Sequence, residues 1–251
     1  MLNIIASSAK ELNPEFVQTV RHRNEDNLKW VERNLKKLAA EEGASGLSYL
    51  VLIGGKQKAY FHTRVAQGHL RNDMSPSHWS HVVLLQGSAP TKKSAIWEIS
   101  LEPAEGFGYP PSDNAVEEAH LSNYASKNMF PNIALLQLPV KLSEMKKTIL
   151  QFKKQRVDLD CVELLLLWLG YVWGVGRATN PLFDGYGIPS AAFIEALCSA
   201  NGYDLTPGLE SRASCPEAIW QAARWWHEFQ KNQQGAVPIK GMWHTEHYLG
   251  K

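Results

Sequence analysis

Cysteine is scarce: three thiols, Cys161, Cys198 and Cys215, stand in 251 residues. An odd and small number lays out no disulfide framework and suits a reducing compartment. Long apolar runs are missing too. The longest, Val162 to Val175, is broken by Glu163, Gly170 and Gly174 and falls short of the ~20 residues a membrane-spanning helix needs. Neither sign of charge is in excess, with 26 Lys plus Arg against 25 Asp plus Glu and a formal net charge of +1. Nothing electrostatic therefore argues for nucleic acid or an anionic membrane as a partner. The opening residues, Met-Leu-Asn-Ile-Ile-Ala-Ser-Ser, lack the basic stretch and long apolar stretch of a secretory signal. These absences together predict a cytoplasmic protein without a membrane span.

Cofactor signatures are lacking as well. His62, His69, His78 and His81 follow one another without a Cys pair or a zinc-ligand spacing, and His244-Thr-Glu246-His247 is equally off pattern. Gly54-Gly55 is followed by no Lys-Ser/Thr at phosphate-loop spacing. No metal and no cofactor is expected.

What is present is an ordinary globular composition, 44% hydrophobic and 20% charged, at a length within the range of one domain. Leu28, Val31, Leu35 and Leu38 recur at helical spacing and predict a helix over 25–42, capped by Asn24 and stopped by Gly43. Strand patterns follow at 47–53, 81–86, 94–100 and 133–140, the middle two as a hairpin. The Gly- and Pro-rich stretch 105–114 is too long for a turn and is expected to border a site. From Ser143 the chain reads as helices at 143–155, 159–173, 189–201 and 215–230, the last opened by a capping box, Ser214-Cys-Pro-Glu217. Trp168, Trp173, Trp220 and Trp225 fall on these helices and are expected in the core. Strands followed by helices imply an α+β fold with a sheet packed on helices.

Two places carry chemistry. His81 opens one strand of the hairpin and Glu98 lies on the other. A carboxylate bonded to one imidazole nitrogen fixes the tautomer and raises basicity, as a general base requires; the plain alternative is a strand-end His and a solvent-facing Glu. Ser190 lies at a helix start, where the dipole and free N–H groups favour a nucleophile; the plain alternative is a helix cap. Cys161, in Asp160-Cys-Val-Glu163, is a second candidate nucleophile or a buried core thiol.

The order of these pieces resembles the circularly permuted papain-like hydrolases, related to NlpC-type peptidases and lecithin retinol acyltransferase. In that family a strand opens with Ser/Thr-His and an apolar run, here Ser80-His81-Val-Val-Leu-Leu. The next carries an apolar-Glu pair, here Trp97-Glu98. A further strand leads into a helix, here Leu135–Pro139 into Leu142–Phe152, then a Tyr-Asp element, here Leu159-Asp160. Last comes Cys-Ser-Glu-Leu-Val opening a helix, here Pro189-Ser190-Ala191-Ala192-Phe193. The match spans Leu47 to about Trp220. In this register the family's catalytic Cys falls on Pro189, which has no nucleophile, and its Glu falls on Ala191. Ser190, one position on, is swung by roughly 100° around the helix. The resemblance implies a single permuted papain-like domain over 1–251, with 1–45 as a helical extension and 232–251 as a tail. It implies either of two functions. One is a degenerate domain that binds a peptide, a lipid or acyl molecule, or a partner protein without turnover. The other is an amide or ester hydrolase or acyl transferase with His81 as base, Glu98 as its orienter, and Ser190 or Cys161 as nucleophile.

Overall fold

The computed structural model describes residues 16–246, apart from 42, 88–93, 103–111, 157–158, 175–177, 232 and 234–236. In chain order these form β1 (Phe16–Gln18), α1 (Asn27–Ala39), β2 (Leu47–Gly54), α2 (Lys58–Ala66), β3 (His81–Leu85), β4 (Ala95–Glu98) and β5 (Glu117–His120). Then follow β6 (Asn132–Lys141), α3 (Leu142–Phe152), α4 (Cys161–Trp173), α5 (Pro189–Ala200), α6 (Pro216–Gln230) and β7 (Lys240–His244). The strands join in one seven-stranded sheet, ordered β1-β7-β6-β2-β3-β4-β5. β1 runs parallel to β7 and the other neighbours pair antiparallel. The fold is α+β.

β2 and β6 sit at the centre because both of their faces are apolar. Alternate side chains of a strand point to opposite faces, and here each face has its own core. Leu50, Leu52, Val82, Leu84, Leu136 and Leu138 pack under α3, α4, α5 and α6. Tyr49, Val51, Ile53, Val83, Leu85 and Leu135 pack under α1. Helix α1 presents Trp30, Val31, Leu35 and Leu38 to that second face, and Trp30 also donates its ring N–H to the Thr19 carbonyl at 3.0 Å. Truncating a central residue such as Leu52, fully buried, costs about 2–5 kcal/mol.

Several elements differ from the sequence reading. Residues 16–39 hold an edge strand as well as a helix. The helix is capped by Asp26, whose side chain accepts from the Lys29 N–H at 2.8 Å, and not by Asn24. The tail beyond 232 supplies β7, which lies between β1 and β6 inside the sheet. The capping box at 214–217 does not form. The N-cap is Cys215 in place of Ser214 and makes no side-chain bond, and Glu217 instead accepts from the Ser77 hydroxyl at 2.6 Å. Trp168 and Trp220 are buried, but Trp173 and Trp225 are about half exposed, at 47% and 51%. Most of the stretch expected to border a site, and His247, lie outside the described residues. Among the described residues no helix is long and apolar enough to cross a membrane.

Candidate functional site

The start of β3 is pinned before it carries any chemistry. The Ser80 N–H donates to the Ile53 carbonyl at 2.8 Å, and the Ser80 hydroxyl donates to the same carbonyl and accepts from the Gly55 N–H. Gly54 lets the two segments meet: a Cβ there would fall 1.9 Å from the His78 carbonyl oxygen. His81 follows immediately. The β3–β4 register, Leu84 opposite Trp97 and Leu85 opposite Ile96, puts Glu98 diagonally across from His81 on the same face, within reach of long side chains. Their side chains meet, Nε2 to Oε2 at 2.7 Å, and both are buried.

Two tyrosines complete this cluster. Tyr124 donates its hydroxyl to the same Glu98 oxygen at 2.5 Å, and the rings of Tyr60 and Tyr124 lie 6.3 and 5.5 Å from the imidazole. Burial raises both phenol pKa values, with the Glu98 carboxylate adding to it, so both hydroxyls stay protonated at neutral pH. A carboxylate acceptor at Nε2 requires a proton on that nitrogen, which fixes the orientation of the ring. The adjacent strand adds a second carboxylate: Glu117 stands opposite Glu98. Burial and then the Glu98 charge raise Glu117 to about 7.

The structure does not bring the candidate nucleophiles to His81. Along β3, His81 shares its face with Val83 and Leu85, which pack under α1, whereas Val82 and Leu84 pack with α5. Its direct partner across β2 is Ile53, also on the α1 face. Pro189 is the first residue of α5, and Ser190 the second. Both therefore lie on the far side of the sheet from the imidazole. The entry to α5 is fixed by Gly187 N–H to Arg212 O at 2.6 Å, Ile188 N–H to Ser214 O at 2.9 Å and the Trp168 ring N–H to Gly187 O at 2.7 Å. Ser190 is buried there, and among the described residues its hydroxyl has no hydrogen-bond partner; Ile188, not Ser190, is the N-cap.

The thiols are equally remote from reaction. Cys161 is buried at the start of α4, on the α5 side of the sheet, its N–H donating to Asn114 Oδ1 at 2.9 Å. Burial, with Asp160 adding to it, raises its pKa. Cys198 is raised by burial and then by Glu195, and burial pushes Cys215 up to about 12. A neutral thiol is a poor nucleophile. Among the described residues no group of three or more His, Cys, Asp or Glu is placed to hold a metal ion.

A second feature escaped the sequence reading. Between α6 and the edge pair β1 and β7 runs a cleft of about 950 Å³, at the upper end of the ordinary size for ligand sites. Its aromatic wall is a chain of rings. Trp220 lies 5.2 Å from Phe16, 5.0 Å from Trp79 and 6.0 Å from Trp243, centre to centre. At its back Glu217 is held by Ser77, by the Gln221 amide at 3.0 Å and by Arg71 at 3.9 Å. Arg224 and Glu228 stand on the exposed side of α6. The contributing residues run from Phe16 to Thr245, more than two hundred positions apart. Only the period of α6, where 217, 220, 221, 224, 225 and 228 fall on one side, was available as a signal.

Compared with protein-family models, curated proteins and solved structures, the chain matches none.

Proposed function

We propose that this chain is a ligand-binding domain without turnover, a degenerate relative of the permuted papain-like hydrolases whose binding surface is the aromatic cleft between α6 and β1–β7. The observation that supports this reading is the sheet standing between His81 and Ser190. Covalent acyl transfer needs base and nucleophile within hydrogen-bond reach, ≈ 2.6–3.2 Å and somewhat looser without substrate. A strand side chain on one face of a sheet and a side chain on a helix packed against the other face are not brought within that distance by a rotamer change. The three thiols are buried and held protonated, and Pro189 offers no attacking atom.

In this reading the His81–Glu98–Tyr124 cluster is a structural polar network. Its charge is shared among hydrogen bonds inside a buried setting, where an unpaired member costs more than a paired one gains. The cleft is the open, aromatic surface, and mixed aromatic and charged walls suit a peptide better than a lipid tail, which asks for an apolar lining. The test is exposure of the native chain to serine- and cysteine-directed acylating probes, read by intact mass and peptide mapping. No adduct is expected on Ser190 or Cys161. A stoichiometric adduct on either residue, lost when His81 is replaced by Ala, supports the hydrolase or acyl-transferase reading instead.

A further inference from the structure

The floor of the aromatic cleft is held in place by the protein itself. Ser77 and Gln67, both fully buried, tie the Trp79 main chain to Glu217. The Ser77 hydroxyl accepts from the Trp79 N–H at 2.9 Å and donates to the Glu217 carboxylate. The Gln67 side chain donates to the Trp79 carbonyl at 2.9 Å and accepts from the Glu217 N–H at 2.8 Å. Beside them Arg71 is held by Asp73 through two bonds of 3.1 and 3.0 Å. Rings stand on this floor at set angles: Trp220 is inclined 56° to Trp79, 51° to Phe16 and 75° to Trp243. A pre-formed site of this kind has little left to order when a ligand enters.

Trp225 completes the aromatic wall. Its ring is backed by Phe229, nearly parallel at 12° and 4.9 Å away, and it stays half exposed on the side of the cleft. A flat ligand ring prefers offset stacking, which Trp225 offers, or edge-to-face contact, which the inclined rings of Trp220 and Trp243 offer. Three properties narrow the ligand further. Charge is balanced: Arg71 and Arg224 in the walls, with Arg64 bonded to the Ser77 carbonyl behind them, against Asp73, Glu217 and Glu228. The polar groups of the floor are bonded to one another, so a polyol would bury hydroxyls that find few partners, and an acyl chain would bury charged and amide side chains against hydrocarbon. A peptide carries rings as well, but its main chain brings N–H and C=O groups that need partners of their own.

We propose that the cleft binds an uncharged, planar heteroaromatic compound of nucleobase size, stacked on Trp225 and meeting Trp220 and Trp243 with its edge. Such a ring unites in one plane what the cleft presents: an aromatic face for the indoles, and a few edge donors and acceptors for polar side chains of the rim such as Asn72 and Arg224. Stacking supplies the affinity, because every such ring has a π-face, and the rim supplies the choice among rings. This inference rests on the reading of the cleft as the binding surface of a non-catalytic domain, and it is tested separately from it.

The test is calorimetric titration of the full chain with adenine, caffeine and adenosine, beside AMP, methyl glucoside, dodecanoate and the tripeptide Ala-Trp-Ala amide. Expected is saturable one-site binding of at least one planar probe, with AMP no tighter than adenosine because Arg71 is already held by Asp73. Trp225→Ala should weaken that binding roughly five- to hundredfold, the range for losing a ring stacked on a base, whereas Trp225→Phe should keep most of it. Trp225→Gln, which retains bulk without a ring, is a second variant expected to lose as much as Trp225→Ala. Trp173→Ala, at a half-exposed indole outside the cleft, should change nothing, and circular dichroism confirms that each variant folds. Four outcomes overturn the proposal: no planar probe binds saturably, planar binding is indifferent to Trp225→Ala and Trp225→Gln, AMP binds far more tightly than adenosine, or methyl glucoside, dodecanoate or the tripeptide binds more tightly than every planar probe. None of these touches the acylation test of the non-catalytic reading, so the two fail independently.

Discussion

Replacing Glu117 by Gln should stabilise the protein at alkaline pH and change nothing at acidic pH. Glu117 stands directly opposite Glu98 on paired strands, half-buried on the face that carries His81 and Tyr124. Burial first, and the neighbouring carboxylate second, raise it from the ordinary 4.5 to about 7. Below about 4.5 the folded and unfolded chains both hold the proton, and the group has no effect. As pH rises towards 7 the unfolded chain releases its proton while the folded chain keeps it, so stability falls; above 7 the loss is complete. A displacement of that size corresponds to about 3 kcal/mol, and partial exposure reduces it to about 2 kcal/mol. Gln is nearly isosteric and stays neutral. The variant should therefore melt with the parent at pH 4.5 and about 4–8 °C above it at pH 8, measured by circular dichroism or calorimetry across that range. A variant that melts with or below the parent at pH 8 refutes the like-charge account of this strand pair.

Tyr124→Phe keeps the ring and removes one hydroxyl that donates to the Glu98 carboxylate at 2.5 Å. It should cost about 2 kcal/mol, the loss expected for a hydrogen bond to a charged group; a denaturant-melt difference under about 0.5 kcal/mol contradicts the network. Native protein at pH 8 should leave Cys161, Cys198 and Cys215 unalkylated by iodoacetamide, since all three are buried and Cys215 titrates at about 12, whereas urea-unfolded protein should take up three labels. Rapid labelling of any one in the folded chain contradicts its placement.

Much of the central fold is legible in the residues. The apolar runs of β2, β3 and β6 and the 3.6-residue stripe of α1 name their elements without help. So does α4, where Asp160 caps the helix by accepting from the Val162 and Glu163 N–H groups. The elements that escape notice are those whose pattern is set by neighbours. β5 is Glu-Glu-Ala-His, a strand only because it pairs with β4. α2, Lys-Ala-Tyr-Phe-His-Thr-Arg-Val-Ala, has no clear apolar stripe because Thr63 and Arg64 are buried beside its alanines. β7 carries Gly241, where a Cβ would strike the Phe16 ring at 2.8 Å, so its glycine reads as a breaker until β1 is beside it.

The site divides in the same way. His81 and Glu98 come together because a hairpin register is a local property. Which face of that hairpin meets α5 is not local. It depends on how a helix a hundred residues later packs against the sheet, and a shift of one residue along a strand exchanges the faces. The register of His81 places it with Val83 and Leu85, and the helix with Val82 and Leu84. Tyr60 and Tyr124 join the cluster only through the tertiary structure, and the aromatic cleft draws on both ends of the chain. Tryptophans that read as core from helical spacing are, at Trp225, a half-exposed ridge.

The central claim is that the helix start at 189–190 is out of reach of His81. It is tested most directly by placing a thiol there. Ser190→Cys and Pro189→Cys, each with and without His81→Ala, are treated with iodoacetamide across pH 6–9, and the rate at the new thiol is followed by mass spectrometry. The account predicts thiols that react roughly tenfold or more slowly than a free cysteine peptide at pH 8, at a rate indifferent to His81. A thiol at either position that reacts rapidly at pH 7, and loses that reactivity when His81 is replaced, contradicts it.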